Sequence, residues 1–146
     1  MTKNQGDYDK LKIERYTYWT LYLHDKQSYL GRCYIALNRS GILDPFADIT
    51  RQEKDELESI VLKTQAALDK LYKPDLYNYA NFRNSWPHCH WHIIPRYKAP
   101  RLLNNQEFVD ENWGKNYAPY DRNFKLSDEL LESIKKDIRK ELRTNI

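Results

Sequence analysis

The chain has 146 residues, the length of one ordinary domain, and 40% of them are hydrophobic, which is enough for a single core. Its formal charge of +3 is small and scattered, so we expect no nucleic-acid partner. No apolar run reaches the roughly 18 residues of a membrane span, and the N-terminus lacks the apolar core of a secretion signal. Cys33 and Cys89 are predicted to be free thiols, which favours a soluble, cytoplasmic protein with no membrane partner.

The N-terminal third of the chain is predicted to contain a tail and a hairpin. Residues 1–12 are polar and are expected to be flexible. Residues 16–23 and 29–37 are rich in β-branched and aromatic residues and are predicted to pair as two strands. Gly31 in the second strand indicates a bulge or the close approach of another group. We expect His24, in the turn between the strands, to face solvent.

A long helix is predicted next. Thr50 and Glu53 have the spacing of a capping box. Pro74 disfavours a helical residue before it, so the helix should end at residue 72 or 73. Apolar residues at helical spacing define one core-facing stripe. The stripe consists of Leu57, Ile60, Val61, Thr64, Ala67, Leu68 and Leu71.

The remaining elements complete a single α+β domain over residues 1–146. Two further strands are predicted at 76–82 and 88–96, and residues 98–125 are expected to be an irregular loop region of unknown role. Ser127 is predicted to cap a final helix. The apolar stripe of that helix contains Leu130, Ile134 and Ile138.

The last predicted strand carries three of the four histidines, at positions 88, 90 and 92. A spacing of two is the period of a β-strand, so the imidazoles of His88, His90 and His92 should share one face, roughly 6.6 Å apart along the strand. The intervening side chains should point into the core. Trp91 is among them, and Trp86 just before the strand is also expected to pack.

Four interpretations of this histidine face remain open. The histidines could lie together without a function. They could hold Zn²⁺, although a straight row about 13 Å long is too extended for metal bonds of about 2 Å. They could bind a phosphate group without further chemistry. Finally, the central imidazole could attack an electrophilic phosphorus while its neighbours orient it and stabilise the phosphoryl oxygens.

The pattern His-φ-His-φ-His-φ-φ, where φ is apolar, resembles the signature of the histidine triad (HIT) family of nucleotide hydrolases and transferases. It is met in full by the seven residues His88-Cys89-His90-Trp91-His92-Ile93-Ile94. The resemblance covers roughly residues 16–97. The stretch 113–119 also resembles a bacterial subgroup of the family.

The resemblance implies a HIT-like antiparallel sheet with a long helix after the first hairpin and a C-terminal helix, in a homodimer. It implies attack on the α-phosphorus of a nucleoside phosphoanhydride or phosphoramidate, such as a dinucleoside polyphosphate or an AMP derivative. A nucleotidyl-histidine intermediate would then release a nucleoside monophosphate. By position, His90 matches the nucleophile, His92 a phosphate-contacting ring and His88 an orienting ring. No cofactor and no metal is implied.

The resemblance also implies four substrate-binding residues. Ser85 and Asn84 match phosphate-contacting positions, and Asn78, or alternatively Asn81, falls near a phosphate-contacting amide. Arg32 stands where many members carry a fourth histidine, so it is either a fixed phosphate clamp or a surface charge. If this replacement removes catalysis, the chain would be a nucleotide-binding or interaction protein of the same fold.

Overall fold

The computed structural model describes residues 5–144. In chain order it contains α1 (Gln5–Lys10), β1 (Lys12–Arg15), β2 (Trp19–Leu23), β3 (Cys33–Leu37), α2 (Arg51–Tyr72), β4 (Leu76–Ala80), β5 (His90–Arg96), β6 (Arg101–Leu103), β7 (Gln106–Phe108) and α3 (Asp128–Thr144). The predicted α+β class is therefore confirmed.

The main sheet has five antiparallel strands in the order β1-β2-β3-β5-β4. One of its faces forms the hydrophobic core together with α2 and α3. Trp19 and Ile35 from the strands, Leu68 from α2 and Ile134 from α3 are all fully buried there. Because both long helices cover the same face, the opposite face is left to loops and to the functional site.

Helix α2 begins and ends where the sequence predicts. The Thr50 hydroxyl accepts the backbone N–H of Glu53, and the Glu53 carboxylate accepts the backbone N–H of Thr50, which completes the predicted capping box. The helix ends at Tyr72, and Lys73 takes a left-handed conformation at its C-terminus.

Gly31 marks the close approach of α2 to the start of β3. Its φ is +86°, a left-handed conformation, and a Cβ atom at this position would lie 2.8 Å from Leu68 Cδ2. The expectation of a close approach is therefore confirmed, and the approaching group is the helix.

Two segments are more ordered than the sequence predicts. Within the predicted tail, residues 5–10 form α1 and Lys12 begins β1; residues 1–4 lie outside the described part of the chain. Within the loop region 98–125, β6 and β7 form a hairpin. Its two central residues, Asn104 and Asn105, both have positive φ, as a tight hairpin turn requires. The asparagine pair was the signal that could have identified it.

Within residues 5–144, no helix has the length and apolar character needed to span a membrane.

Candidate active site

The histidine segment has the predicted alternation of faces. The rings of His90 and His92 lie together with centroids 4.9 Å apart, while Cys89 and Ile93 are fully buried in the core and Trp91 packs against it. The two rings are closer than the roughly 6.6 Å backbone repeat, because the side chains lean toward each other. His88 lies just before β5 begins.

Backbone carbonyls fix the protons of two of these rings. Nδ1 of His90 lies 2.7 Å from the carbonyl oxygen of His88, and Nε2 of His88 lies 2.6 Å from the carbonyl oxygen of Leu37. A carbonyl oxygen can only accept a hydrogen bond, so each of these nitrogens donates its proton. In the neutral His90 ring, the lone pair therefore stands on Nε2.

Burial keeps His90 and His92 uncharged. Desolvation lowers the pKa of His90 below its usual 6.5, and the effect exceeds the opposing hydrogen bond to His88. Burial, followed by repulsion from the nearby Arg32 guanidinium, lowers the pKa of His92 to about 3. At neutral pH both rings are neutral, which is the form that can act as a nucleophile or as a neutral hydrogen-bonding group.

Trp86 forms a wall of the histidine site. Its ring stacks on His88 at 5.1 Å between centroids and lies 4.6 Å from His90. It remains 43% exposed, whereas His90 beneath it is only 7% exposed. Trp86 therefore packs as expected, but at the surface and against the site: its ring covers the central histidine from the solvent side.

Arg32 is a buried cation at this site. Its side chain is only 3% exposed, so the alternative of a surface charge is wrong. The guanidinium lies 4.9 Å from the ring centroid of Tyr120 and 5.5 Å from that of Tyr117. These distances are typical of cation–π contacts. Its Nε and Nη1 atoms are buried without a hydrogen-bond partner.

A buried glutamine connects Arg32 to the fourth histidine. The Gln27 side chain donates to the backbone carbonyls of His24 and Arg32 and accepts the backbone N–H of Gly31. His24 consequently turns toward the site, with its ring 5.7 Å from that of His92. Only 16% of its side chain is exposed, so the expectation that His24 faces solvent is wrong. All four histidines of the chain thus belong to one cluster.

An aromatic cleft of about 270 Å³ opens alongside the histidine row, from Trp86 and His88 to Tyr34, the residue paired with His92. Its floor includes Tyr22 and Tyr34, whose rings stack at 5.0 Å. These tyrosines were missing from the predicted site, because tyrosines in a strand are commonly packing residues. The cleft is lined by Tyr8, Arg15, Thr20, Tyr22, Tyr34, Ala36, Leu37, Asn38, Trp86 and His88.

Comparison with solved structures identifies the fold. A histidine triad protein from Marinobacter aquaeolei VT8 matches with a TM-score of 0.75 at 16% identity, covering 99% of this chain and 98% of that one. A histidine triad protein from Bradyrhizobium japonicum matches with a TM-score of 0.74 at 14% identity, covering 97% of each chain. The chain has the histidine triad fold.

A third solved structure, which matches with a lower TM-score, is that of an enzyme. The diadenosine triphosphate hydrolase of Plasmodium falciparum matches the histidine triad fold of this chain with a TM-score of 0.63 at 14% identity, covering 92% of this chain and 78% of that one. No protein-family model and no curated protein sequence matches the chain.

The remaining predicted binding residues lie at different distances from the triad. Asn84 and Ser85 are exposed in the bend that also carries Trp86. Asn78 lies on β4 opposite Ile94, and its side-chain oxygen Oδ1 accepts a hydrogen bond from Arg96 Nη1 at 2.7 Å. Asn81 is directed toward the buried Cys89 Sγ, 3.9 Å away, on the core side of the sheet. The alternative alignment through Asn81 is therefore not favoured.

Within the described range 5–144, no three or more histidine, cysteine, aspartate or glutamate side chains are grouped so that they could hold a metal ion. The two outer histidines of the row are held apart, since His88 is bonded to the Leu37 carbonyl while His92 lies beside His24. This geometry does not favour the zinc interpretation.

Proposed function

We propose that the protein is a nucleotide hydrolase or nucleotidyl transferase in which His90 is the covalent nucleophile. Nε2 of His90 attacks the α-phosphorus of a nucleoside phosphoanhydride or phosphoramidate, and the bond to the leaving group breaks. Water or another acceptor then attacks the nucleotidyl-histidine and releases a nucleoside monophosphate. The observation that carries this proposal is the hydrogen bond from Nδ1 of His90 to the His88 carbonyl, which leaves the Nε2 lone pair available.

Arg32 supports a phosphate site next to His92. Arg96, the other buried arginine, differs from Arg32 in its hydrogen bonds. Arg96 donates to both carboxylate oxygens of Asp110, to Asn78 Oδ1 and to two backbone carbonyls. Arg32 keeps Nε and Nη1 without partners. Burying a cation whose N–H donors lack acceptors costs free energy, unless a bound anion accepts their hydrogen bonds. A phosphate group supplies acceptors that match a guanidinium.

The aromatic cleft supports the nucleoside part of the substrate. Its aromatic walls offer flat apolar surfaces for a base, and it ends at Trp86 and His88, directly beside His90. A nucleoside in this cleft would bring its α-phosphate to His90. In this arrangement Asn84 and Ser85, which directly precede Trp86, contact phosphate oxygens. Asn78 is the least favoured of the four predicted binding residues, because its side-chain oxygen Oδ1 already accepts a hydrogen bond from Arg96.

One observation favours a second candidate, a nucleotide-binding protein without catalysis. His90 is only 7% exposed beneath Trp86, and a nucleophile must reach about 3 Å from the phosphorus. If Trp86 does not move aside, a nucleotide could occupy the cleft without reacting. A homodimer, which the family resemblance implies, and a cytoplasmic location remain predictions.

A trapping experiment with diadenosine triphosphate separates the two candidates. After a rapid alkaline quench, we expect intact-mass analysis to show an adenylyl group on the wild-type protein, with peptide mapping at His90. His90→Asn keeps a polar side chain of similar reach but has no nucleophilic ring nitrogen. This variant should fold normally and lose AMP release by roughly 10⁴-fold or more.

Two outcomes would contradict the proposed function. One is AMP release by His90→Asn at a rate close to that of the wild-type protein. The other is binding of AMP to the wild-type protein with neither an adenylyl adduct nor AMP release from diadenosine triphosphate, which would favour the binding protein. Arg122→Gln, which changes an exposed arginine at the surface of the same segment, is the matched control and should retain full activity.

A further inference from the structure

We infer that Arg15, at the end of the aromatic cleft farthest from the histidine strand, makes this site prefer nucleobases that present hydrogen-bond acceptors. Guanine and hypoxanthine nucleotides should therefore bind more tightly than adenine nucleotides. This inference rests on the proposed function, which seats the nucleoside in the cleft, and deepens it by naming the class of nucleobase. It does not depend on which bond to phosphorus breaks.

The aromatic cleft also extends across the sheet, from the histidine strand toward β1. His90 on β5 pairs with Ala36 on β3. Ala36 pairs in turn with Thr20 on β2, and Thr20 pairs with Arg15 on β1. Side chains of directly paired residues project from the same face of a sheet. Arg15 therefore lies three strand spacings, roughly 14 Å, from His90 on the face that carries the histidines.

Short side chains leave room for a nucleobase between these two ends. Ala36 and Thr20, which lie between His90 and Arg15 in this row, both line the cleft. The larger rings of the neighbouring pair, Tyr22 and Tyr34, stack on each other at 5.0 Å. A flat nucleobase fits over the short side chains and beside these rings. With the phosphorus at His90, the edge of a purine farthest from its ribose is then directed toward Arg15.

Arg15 is the group at this end of the cleft whose hydrogen-bonding role is fixed. A guanidinium only donates, whereas the hydroxyl groups of threonine and tyrosine either donate or accept. The Asn38 amide is already engaged, because Nδ2 donates to the carbonyls of Tyr16 and Thr17 and Oδ1 accepts the Thr20 hydroxyl. The Arg15 side chain is exposed, so its donors are open to a ligand. Discrimination between nucleobases at this end therefore falls to Arg15.

The nucleobases differ in what they present to a donor. Guanine and hypoxanthine carry two neighbouring acceptors, O6 and N7, which the fork of an arginine binds together. Adenine carries the amino group N6 in place of O6, so one arginine donor meets another donor and makes no bond. A glutamine side chain, which has one acceptor and one donor, matches N6 and N7 of adenine instead. Arg15→Gln should therefore transfer the preference from guanine to adenine.

Binding of three nucleoside monophosphates tests this preference without requiring turnover. We would measure Kd by calorimetry for GMP, inosine 5′-monophosphate (IMP) and AMP with the wild-type protein, Arg15→Gln and the control Arg122→Gln. The wild-type protein should bind GMP and IMP about 10-fold or more tightly than AMP, the scale of one bidentate contact. In Arg15→Gln this ratio should fall to about 1 or below. Arg122→Gln, the same change at another exposed arginine, should keep the wild-type ratio.

Turnover gives a second readout that a merely structural effect would not reproduce. A nucleobase contact far from the phosphorus is made equally in the ground state and the transition state, so it should change KM and leave kcat unaltered. The wild-type protein should therefore show a lower KM for diguanosine triphosphate than for diadenosine triphosphate, at similar kcat. Arg15→Gln should raise the KM for diguanosine triphosphate without lowering its kcat.

Three outcomes would overturn the inference. The first is an equal Kd for GMP, IMP and AMP with the wild-type protein. The second is tight binding of GMP alone, with IMP bound as weakly as AMP, because that result would assign the preference to the 2-amino group of guanine and not to O6. The third is a GMP-to-AMP ratio that is unchanged in folded Arg15→Gln. The first two need only the wild-type protein.

Failure of the inference can be distinguished from failure of the proposed function. Equal affinity for the three monophosphates, together with an adenylyl adduct on His90 and release of AMP, would overturn only the nucleobase preference. The expected Kd ratios, with no adduct and no release of a nucleoside monophosphate from either dinucleotide, would overturn the proposed catalysis and support the nucleobase preference.

Discussion

The chemistry of the site depends on single hydrogen bonds to backbone carbonyls. The spacing of the histidines predicts that they share a face, but it does not specify which ring nitrogen is protonated. In His90 that choice is made by the carbonyl of His88, and in His88 by the carbonyl of Leu37 on the neighbouring strand. The first contact lies within the motif, whereas the second exists only after β3 and β5 have paired.

The pH dependence of catalysis follows from the burial of His90. Burial lowers its pKa below 6.5, and only the neutral ring has the Nε2 lone pair. For diadenosine triphosphate, kcat/KM should therefore be sustained at pH 6.5 and fall only at lower pH, as the ring becomes protonated. Trp86→Ala exposes the ring, which should raise its pKa toward 6.5 and shift the acidic limb to higher pH. A wild-type midpoint above pH 6.5, or an identical limb in Trp86→Ala, would contradict this account.

At the scale of the elements, the capping box of α2 and Gly31 led to correct predictions, whereas the strand patterns missed β1, β6 and β7. The capping box of α2 uses contacts three residues apart, so it could be recognised from the sequence. Strand β1 was missed because its sequence, Lys-Ile-Glu-Arg, is mostly charged, and it forms at the sheet edge where only one neighbour is present. The hairpin of β6 and β7 was missed because each strand has only three residues.

Two glycines allow the packing of α2 on β3 to be measured. Gly31 and Gly114 have nearly equal φ values, +86° and +82°, but a Cβ atom at Gly31 meets Leu68 Cδ2 at 2.8 Å while one at Gly114 meets nothing within 4 Å. Gly114→Ala should lower the free energy of unfolding by about 1–2 kcal/mol, the cost of a left-handed alanine. Gly31→Ala adds a clash with the helix and should lower it further. Urea unfolding measures the loss in the free energy of unfolding for both variants. Equal losses would show that the contact with α2 does not add to the cost of a Cβ atom at position 31.

At the scale of the whole molecule, Arg96 and Asp110 join the sheet to the C-terminal segment that covers Arg32. Both side chains are buried, and Arg96 Nε donates to Asp110 Oδ2 at 2.7 Å. Asp110 also accepts the backbone N–H groups of Tyr97 and Asn112. Asn112 in turn holds the segment of Tyr117, so the position of the aromatic rings on Arg32 depends on this ion pair.

Removal of the Asp110 carboxylate should therefore destabilise the fold and the site together. Asp110→Ala leaves the Arg96 cation buried without its main partner, and we expect a loss of about 3–5 kcal/mol in the free energy of unfolding. Glu14→Gln removes the carboxylate of a partly exposed pair with Arg143 and should cost about 1 kcal/mol or less. Urea unfolding monitored by tryptophan fluorescence compares them. A loss for Asp110→Ala no larger than for Glu14→Gln would show that the ion pair does not hold the segment.

The sequence by itself determined the strand that carries His90 and His92, the two faces of that strand and the boundaries of α2. Each of these follows from side-chain periodicity or from contacts a few residues apart. Only the tertiary structure decided that Arg32 is buried, that His24 joins the cluster and that Trp86 covers His90. These features depend on contacts between distant segments, such as Tyr117 and Tyr120 on Arg32. Local pattern carries no information about which distant side chain will fill the space beside a residue.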